Sequence, residues 1–583
     1  MLPDVTGIDR TFHYSCQKDL EVGAIVRVLL HNRRVRGWAV ATGTPAPPGV
    51  EPQPIIEVVS LGPPPHVVDL CGWAAWRFAG RRRPLLIAAS PERVVRSLPA
   101  SGTEQPLREA APPLGVVTEA VALGDAVIRL PPGAPRLPVV QSALFAMGEA
   151  ALGSLVLVES RGDAERLAAE LRRSGWPIAL YPDEWAAAAV PRGVVIGTRN
   201  AALSPRTPSL TLVLDAHSES YRSERVPNFD ARVIAAERAR RSGQPVVFVT
   251  PCPSVELLAG RPLVTFPERD ERAGWGEVRV LDSREEDPAE GGYPSRLAGL
   301  LKEAAEGSRG RPVVCVLNRT GRARLLSCSS CRDVMACARC GAGLIQREKP
   351  PRGELAVLSC PRCGDEQPAL CGSCGSSRLS VLRSGVKRAR EQLGALTGLE
   401  VGEVSGRRSA VPAVPLIVGT EAVLHRVASA ALVAFLDFDQ ELLAPRFRAA
   451  EQALVLLARA VRIVGASRGN KGVIVRTSAP GHEVVRAATT GDPGIVARAE
   501  RARREELSLP PFSALASVTG DGAGALCGLL GPGVDAAPVG DGRYLLRAGR
   551  AADLADALGE VAAREPGGWA FLTARVEMEP VDA

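Results

Sequence analysis

The chain has 583 residues, of which 46% are hydrophobic and 23% charged, so it is too long for one hydrophobic core and about three to five domains are expected. No run approaches about 20 uninterrupted apolar residues, and the opening MLPDVTGIDRTFHY lacks the basic-then-apolar layout of a secretory leader, so no membrane span and a cytoplasmic, reducing location are expected. The net charge of +7, with only five lysines among 71 basic residues, suits a polyanionic partner, although a GC-rich coding bias toward arginine explains it equally well.

Residues 1–104 read as a first unit. Alternating Val26, Val28 and Leu30 between turns at Gly23 and Asn32 predict short antiparallel strands. Two segments mix arginine with aromatic rings: Arg10, Phe12, His13 and Tyr14, then Arg33, Arg34, Arg36 and Trp38. That mixture suits phosphate contact with base stacking, the alternative being a small β-barrel with a solvated basic rim. Pro-rich linkers are expected at TPAPPGVEPQP and EQPLREAAPPLG.

From residue 112 to 272, apolar strands (SLVLVES, GVVIGTRN, LTLVLDAH, PVVFVTP) alternate with helices (DAERLAAELRRSG, DARVIAAERARRSG), the pattern of a doubly wound, mainly parallel sheet. A second such run covers 273–325 and 382–478, with PVVCVLN, VPLIVGTEA, ALVAFLDFD and GVIVRTS as strands. Residues 479–583 carry the helix GIVARAERARREEL, the turn LPPF and a small α/β domain.

Residues 326–381 interrupt the second run with eight of the 13 cysteines, all in Cys-x-x-Cys pairs. Each pair aims two thiolates at one ion, and tetrahedral Zn²⁺ takes four, so two zinc ions are expected. The pairs Cys337/Cys340 and Cys360/Cys363 are 19 residues apart, a zinc-ribbon spacing. Cys328/Cys331 and Cys371/Cys374 are then left for the other ion, in a nested arrangement. Sequential pairing would leave only five residues between the first two knuckles. All-thiolate ligation with no open position makes such sites structural rather than catalytic.

The order of parts resembles the primosomal replication-restart helicases, the PriA family (primosomal protein N′). The likeness rests on RTFHY…EVGAIVRV…RGW, VVIGTRNAALSP, VLNRTGRAR before the cysteine block, LIVGTEAV, FLDFDQELLAPRFRAAEQ (with Asp437, Asp439, Phe447, Arg448 and Glu451) and EELSLPPF. It implies an N-terminal DNA 3′-end-binding domain, two RecA-like helicase lobes with a double zinc-ribbon insertion in the second, and a C-terminal α/β domain. It also implies forked or single-stranded DNA, the single-stranded-DNA-binding protein and helicase-loading primosome proteins as partners.

Departures from that family fall on the chemistry. A nucleotide-driven motor needs Gly-x-x-x-x-Gly-Lys-Ser/Thr, whose amides, ammonium and hydroxyl hold phosphates and Mg²⁺. After the strand DAVIR stands LPPGAPRLP, in which Gly133 remains, Arg136 takes the lysine place and Leu137 the hydroxyl place. Its four prolines remove amide donors. The second acidic motif is reduced to Asp215-Ala216-His217, with Glu219 two residues on, and the last motif reads RAVRIVGASRGNKG, with Arg462 and Arg468 present but Val464 and Ser467 where the resemblance expects arginines. His13 replaces the family's Asp between Phe and Tyr. Gly133, Arg136 and Asp215 are therefore read as a vestigial nucleotide site, and the chain as a DNA-binding restart protein without ATP hydrolysis. The alternatives are an active 3′→5′ helicase and a zinc-ribbon adaptor outside replication.

Overall fold

The computed structural model describes the chain apart from residues 18, 50, 101–112, 288–291, 318–325, 332, 340, 347–355, 362, 382–385, 405–409, 466–471, 541, 565–572 and 581–583. Most of the linker at EQPLREAAPPLG, the motif residues after Leu317, and Ser467 and Arg468 therefore lie outside the described residues.

Two parallel sheets dominate. The first has seven strands in the order Leu263–Thr265, Asp125–Arg129, Val246–Thr250, Thr211–Leu214, Leu155–Leu157, Val194–Gly197, Ile178–Tyr181, all neighbours being parallel. The second has six: Val278–Asp282, Val473–Thr477, Leu432–Phe435, Val313–Val316, Leu416–Gly419, Val401–Val404, again all parallel. The central strands read VVFVT, LVAF and VVCV because helices cover both faces, so every side chain is buried and alternation disappears. These are the two doubly wound α/β lobes expected from the sequence.

The N-terminal unit is a four-stranded antiparallel sheet whose central hairpin pairs Ile25–Leu30 with Arg33–Trp38. His31 and Asn32 form its two-residue turn at φ +48° and +60°, the left-handed backbone that such turns require and Asn tolerates. Two helices absent from the sequence reading, Pro65–Arg77 and Arg82–Ala89, pack on this sheet. They also join it to the first lobe: Trp185 Nε1 donates to the Ala89 carbonyl at 2.8 Å and Tyr181 Oη to the Ala88 carbonyl at 2.6 Å. One hydrophobic cluster runs from Leu2 and Trp38 through Leu157 and Phe248 of the lobe to Leu546 and Met578 of the C-terminal unit. That last unit is an antiparallel sheet of four strands backed by the helix Ala551–Arg564.

The cysteine-rich insertion has a small core of its own, built on Leu326, Met335, Ala342, Leu344 and Leu358 among the thiols. It leans on the second lobe, where Gly343 N–H donates to the Leu443 carbonyl at 2.8 Å. Among the described residues, no helix is long and apolar enough to cross a membrane.

Candidate functional site

Ligands of doubly wound sheets sit beyond the carboxyl ends of the strands. At that edge of the first lobe, Arg136 follows the strand Asp125–Arg129, Glu159 follows Leu155–Leu157 and Asp215 follows Thr211–Leu214. Facing them is one helix of the second lobe, Ala449–Val464.

The segment Leu130–Pro138 offers almost no amides to an anion. Pro131, Pro132, Pro135 and Pro138 have no N–H. The Gly133 N–H is spent on the Gly274 carbonyl at 2.9 Å, and Ala134 N–H on the Pro131 carbonyl at 3.0 Å. The helix that follows, Leu137–Ala146, starts with a proline in its first turn and has Arg136 as its N-terminal flanking residue.

Arg136 points across this edge of the sheet to two carboxylates. Its guanidinium reaches Asp215 Oδ2 at 2.5 Å and Asp163 Oδ1 at 3.2 Å. Arg462, from the second lobe, takes the other Asp215 oxygen at 2.5 Å, and its Nε donates to the Pro132 carbonyl at 3.3 Å. Asp215 is 2% exposed and sits in a left-handed turn at φ +49°, an uncommon conformation that Asp adopts more readily than most residues. Burial alone would push its carboxyl up, but Arg462, Arg136 and His217 outweigh burial and hold it well below the usual carboxylate range. His217 is driven down to about 4 by burial, so it is a neutral imidazole at pH 7, with Nδ1 3.0 Å from Thr250 Oγ1.

Three participants escaped the sequence reading. Glu159 accepts both arms of Arg459, the closer at 2.6 Å, and Asp163 shares Arg136. The available signal was position: Glu159 lies just past a buried strand, at the edge where such sheets bind ligands. Glu219 is not brought in. It begins a short 3-10 turn and its carboxylate faces Arg222 at 3.5 Å.

The other family-like motif residues have structural placements. Asp439 accepts bonds from the Ser478 N–H and hydroxyl at 3.0 and 2.7 Å, tying down the end of the strand Val473–Thr477. Arg448 reaches Glu256 of the first lobe at 2.7 Å. Glu451 accepts from the Val255 N–H at 2.8 Å and pairs with Arg504, a fully buried arginine that also pairs with Glu256 at 2.9 Å and Glu500 at 3.1 Å. Burial would raise Glu256, yet Arg448 and Arg504 hold it down to about 2.

The structure draws seven of the eight paired cysteines into two clusters. Cys328, Cys331, Cys371 and Cys374 have all their sulfurs within 4.8 Å of one another, as do Cys337, Cys360 and Cys363. Cys340 lies outside the described residues. Sulfur separations of 3.5 Å (Cys328–Cys374), 3.4 Å (Cys331–Cys371) and 3.6 Å (Cys337–Cys363) approach the edge of about 3.8 Å that four Zn–S bonds of about 2.3 Å define in a tetrahedron. Gly341, Gly364 and Gly375 each follow the second cysteine of a knuckle at φ +72° to +75°, turning the chain so that both thiols face inward. These sulfur sets could hold metal ions and fit Zn²⁺ by donor chemistry and spacing.

In the N-terminal unit, Arg33, Arg34 and Arg36 are exposed along one strand and form no ion pair among the described residues. Arg10 stacks over Phe12 at 5.0 Å. Exposed His13, with half-buried Phe12 and Tyr14, lines a hollow of about 700 Å³ together with Thr42, Thr44 and Pro52; Tyr14 Oη donates to the Leu29 carbonyl at 2.9 Å. Trp38 corrects the sequence reading. It is 1% exposed, with Nε1 donating to Ser90 Oγ at 2.8 Å, because the helix Arg82–Ala89 closes over its end of the strand. It cannot stack on a base.

Residues 2–91 match the family model described as the PriA 3′ DNA-binding domain. The chain is related to the PriA replication restart proteins. It is 28% identical over 505 residues to the probable replication restart protein PriA of Mycobacterium leprae, covering 81% of this chain and 70% of that protein. It is 26% identical over 353 residues to PriA of Bacillus subtilis, covering 56% of this chain and 43% of that relative, and 28% identical over 343 residues to PriA of Treponema pallidum, covering 55% and 50%. The chain thus spans about half the length of several PriA relatives that it matches. Among solved structures, a Saccharomyces cerevisiae Dbp5 variant bound to RNA and ADP–BeF3 aligns over 67% of this chain and 93% of that one at 9% identity and a TM-score of 0.35.

Proposed function

We propose that this chain is a DNA-binding replication-restart protein that recognises forked or single-stranded DNA and does not hydrolyse ATP. The observation that carries the second half is the saturation of Asp215: both its oxygens are held by guanidinium groups. A Mg²⁺ ion would have to displace one of them, and the Gly133 amide that would face a phosphate is already spent. Among the described residues, the carboxylates beside Asp215, Glu159 and Asp163, are each paired with arginine and not free to orient an attacking water.

DNA binding is supported by the family match over residues 2–91 and by the exposed arginines on the strand Arg33–Trp38. Arginine contacts to phosphate act by releasing counterions, so affinity should fall steeply with salt. We assign Arg10, Phe12, His13, Tyr14, Arg33, Arg34 and Arg36 to this interface. The sulfur clusters would each hold one Zn²⁺, Cys340 completing the second, and the ions would stiffen a module whose own hydrophobic core is small. Single-stranded-DNA-binding protein and helicase-loading proteins are the partners such a protein would engage.

The test is fluorescence anisotropy with labelled forked DNA across a salt series. Binding at low salt with a steep negative log–log slope is expected. Absence of binding at low salt, or a slope near zero, would refute the DNA-binding half of the proposal.

A further inference from the structure

In a two-lobed enzyme, a ligand bound between the lobes is commonly what draws them closed. Here that connection is made by the chain itself. The helix Ala449–Val464 has 16 residues, about 24 Å, and it is attached to the first lobe at both ends. Near its start, Arg448 pairs with Glu256 at 2.7 Å and Glu451 accepts the Val255 N–H at 2.8 Å. Near its end, Arg459 pairs with Glu159 at 2.6 Å and Arg462 with Asp215 at 2.5 Å. Glu451 and Arg462 are eleven residues apart, about 16 Å along the axis.

A single attachment between two bodies is a pivot. Two attachments on opposite ends of one rigid helix leave only rotation about the line that joins them. The start is reinforced by Arg504, buried completely between Glu256 of the first lobe and Glu451 of the second. The acidic partners Glu256, Glu159 and Asp215 are themselves largely withdrawn from water, so salt screens these pairs far less than surface ones.

We infer that the lobes form one permanently closed body, pinned by ion pairs at both ends of the helix Ala449–Val464, with the pair Asp215–Arg462 standing in for a bound nucleotide. This goes beyond loss of turnover: a chain could fail to hydrolyse ATP and still open and close.

The experiment is pulsed electron–electron distance measurement between spin labels on non-natural residues at exposed positions 173 and 302, one per lobe, which spares the zinc-binding thiols. The wild-type chain should give one narrow distribution, unchanged by Mg²⁺ with a non-hydrolysable ATP analogue. The double variant R459Q/R462M, which removes only the far attachment, should broaden it at least twofold. A broad or two-peaked wild-type distribution, or one that narrows only with the analogue, would overturn the inference, and so would a folded double variant as narrow as the wild type. The wild-type arm stands alone if the variant does not fold, and it is read separately from any ATPase assay.

Discussion

Asp215 on the first lobe and Arg462 on the second meet at 2.5 Å, across the gap between the two parallel sheets. A carboxylate that is 2% exposed stays ionised only beside a cation. Arg136 and Arg462 supply that charge, one to each carboxylate oxygen.

The buried arginine at the other end of the interlobe helix gives a stability prediction. Arg504 is fully buried against Glu256, Glu451 and Glu500. Removing one partner of such a set leaves uncompensated buried charge, at a cost of about 3–5 kcal/mol. R504M should lower the free energy of lobe unfolding in urea by that order, whereas R498M, at a position 71% exposed, should change it by less than about 1 kcal/mol. Equal effects would show that the buried set is not a structural unit.

Acid should unfold the lobes in two stages. His217 has its folded pKa depressed to about 4 by burial, below the unfolded value of about 6.5. The unfolded chain therefore binds the proton first, and stability is lost as pH falls from about 6.5 towards 4. Glu256, depressed to about 2, contributes stability above its unfolded value of about 4.3, lost as pH falls from there through about 2. Asp215 acts in the same sense over a similar range. Each group contributes a slope of up to about 1.4 kcal/mol per pH unit, readable from urea midpoints at successive pH values. In H217Q the loss between pH 6.5 and 4 should shrink while the lower stage persists.

The exposed arginine strand gives a prediction in salt slopes. Substituting Arg33, Arg34 or Arg36 with alanine should weaken fork binding and reduce the magnitude of the log–log salt slope by about one unit each. Substituting Trp38 should instead destabilise the N-terminal unit, since it fills the core and bonds Ser90. An arginine variant with unchanged slope would remove that residue from the interface.

Metal content should separate the two sulfur clusters. Two zinc ions per chain are expected by elemental analysis, C371S losing the ion of Cys328, Cys331 and Cys374, and C360S losing the ion of Cys337 and Cys363. Loss of both ions from either change would mean one shared cluster or collapse of the module.

What the sequence shows of this molecule follows a physical rule. The strands VVFVT and LVAF are legible because burial on both faces makes them continuously apolar, and the thiol clusters because repeated Cys-x-x-Cys spacing is the pattern that suits a tetrahedral metal site. Glu159, Asp163 and Arg459 are illegible as a group, since a charge reads as solvated until the fold puts a partner beside it. Trp38 misled because its neighbours Arg33, Arg34 and Arg36 are exposed, and only the helix arriving from residues 82–89 shows that its end of the strand is covered. The joined core of the N-terminal unit, first lobe and C-terminal unit is likewise a product of packing that Pro-rich linkers did not suggest.

The most direct test of the central claim is ATPase activity measured on a preparation that binds forked DNA, with saturating Mg·ATP and fork. The expected result is fork binding with no turnover above background. Turnover at about 1 s⁻¹ or faster, within the ordinary range for enzymes, abolished by D215N, would contradict the account.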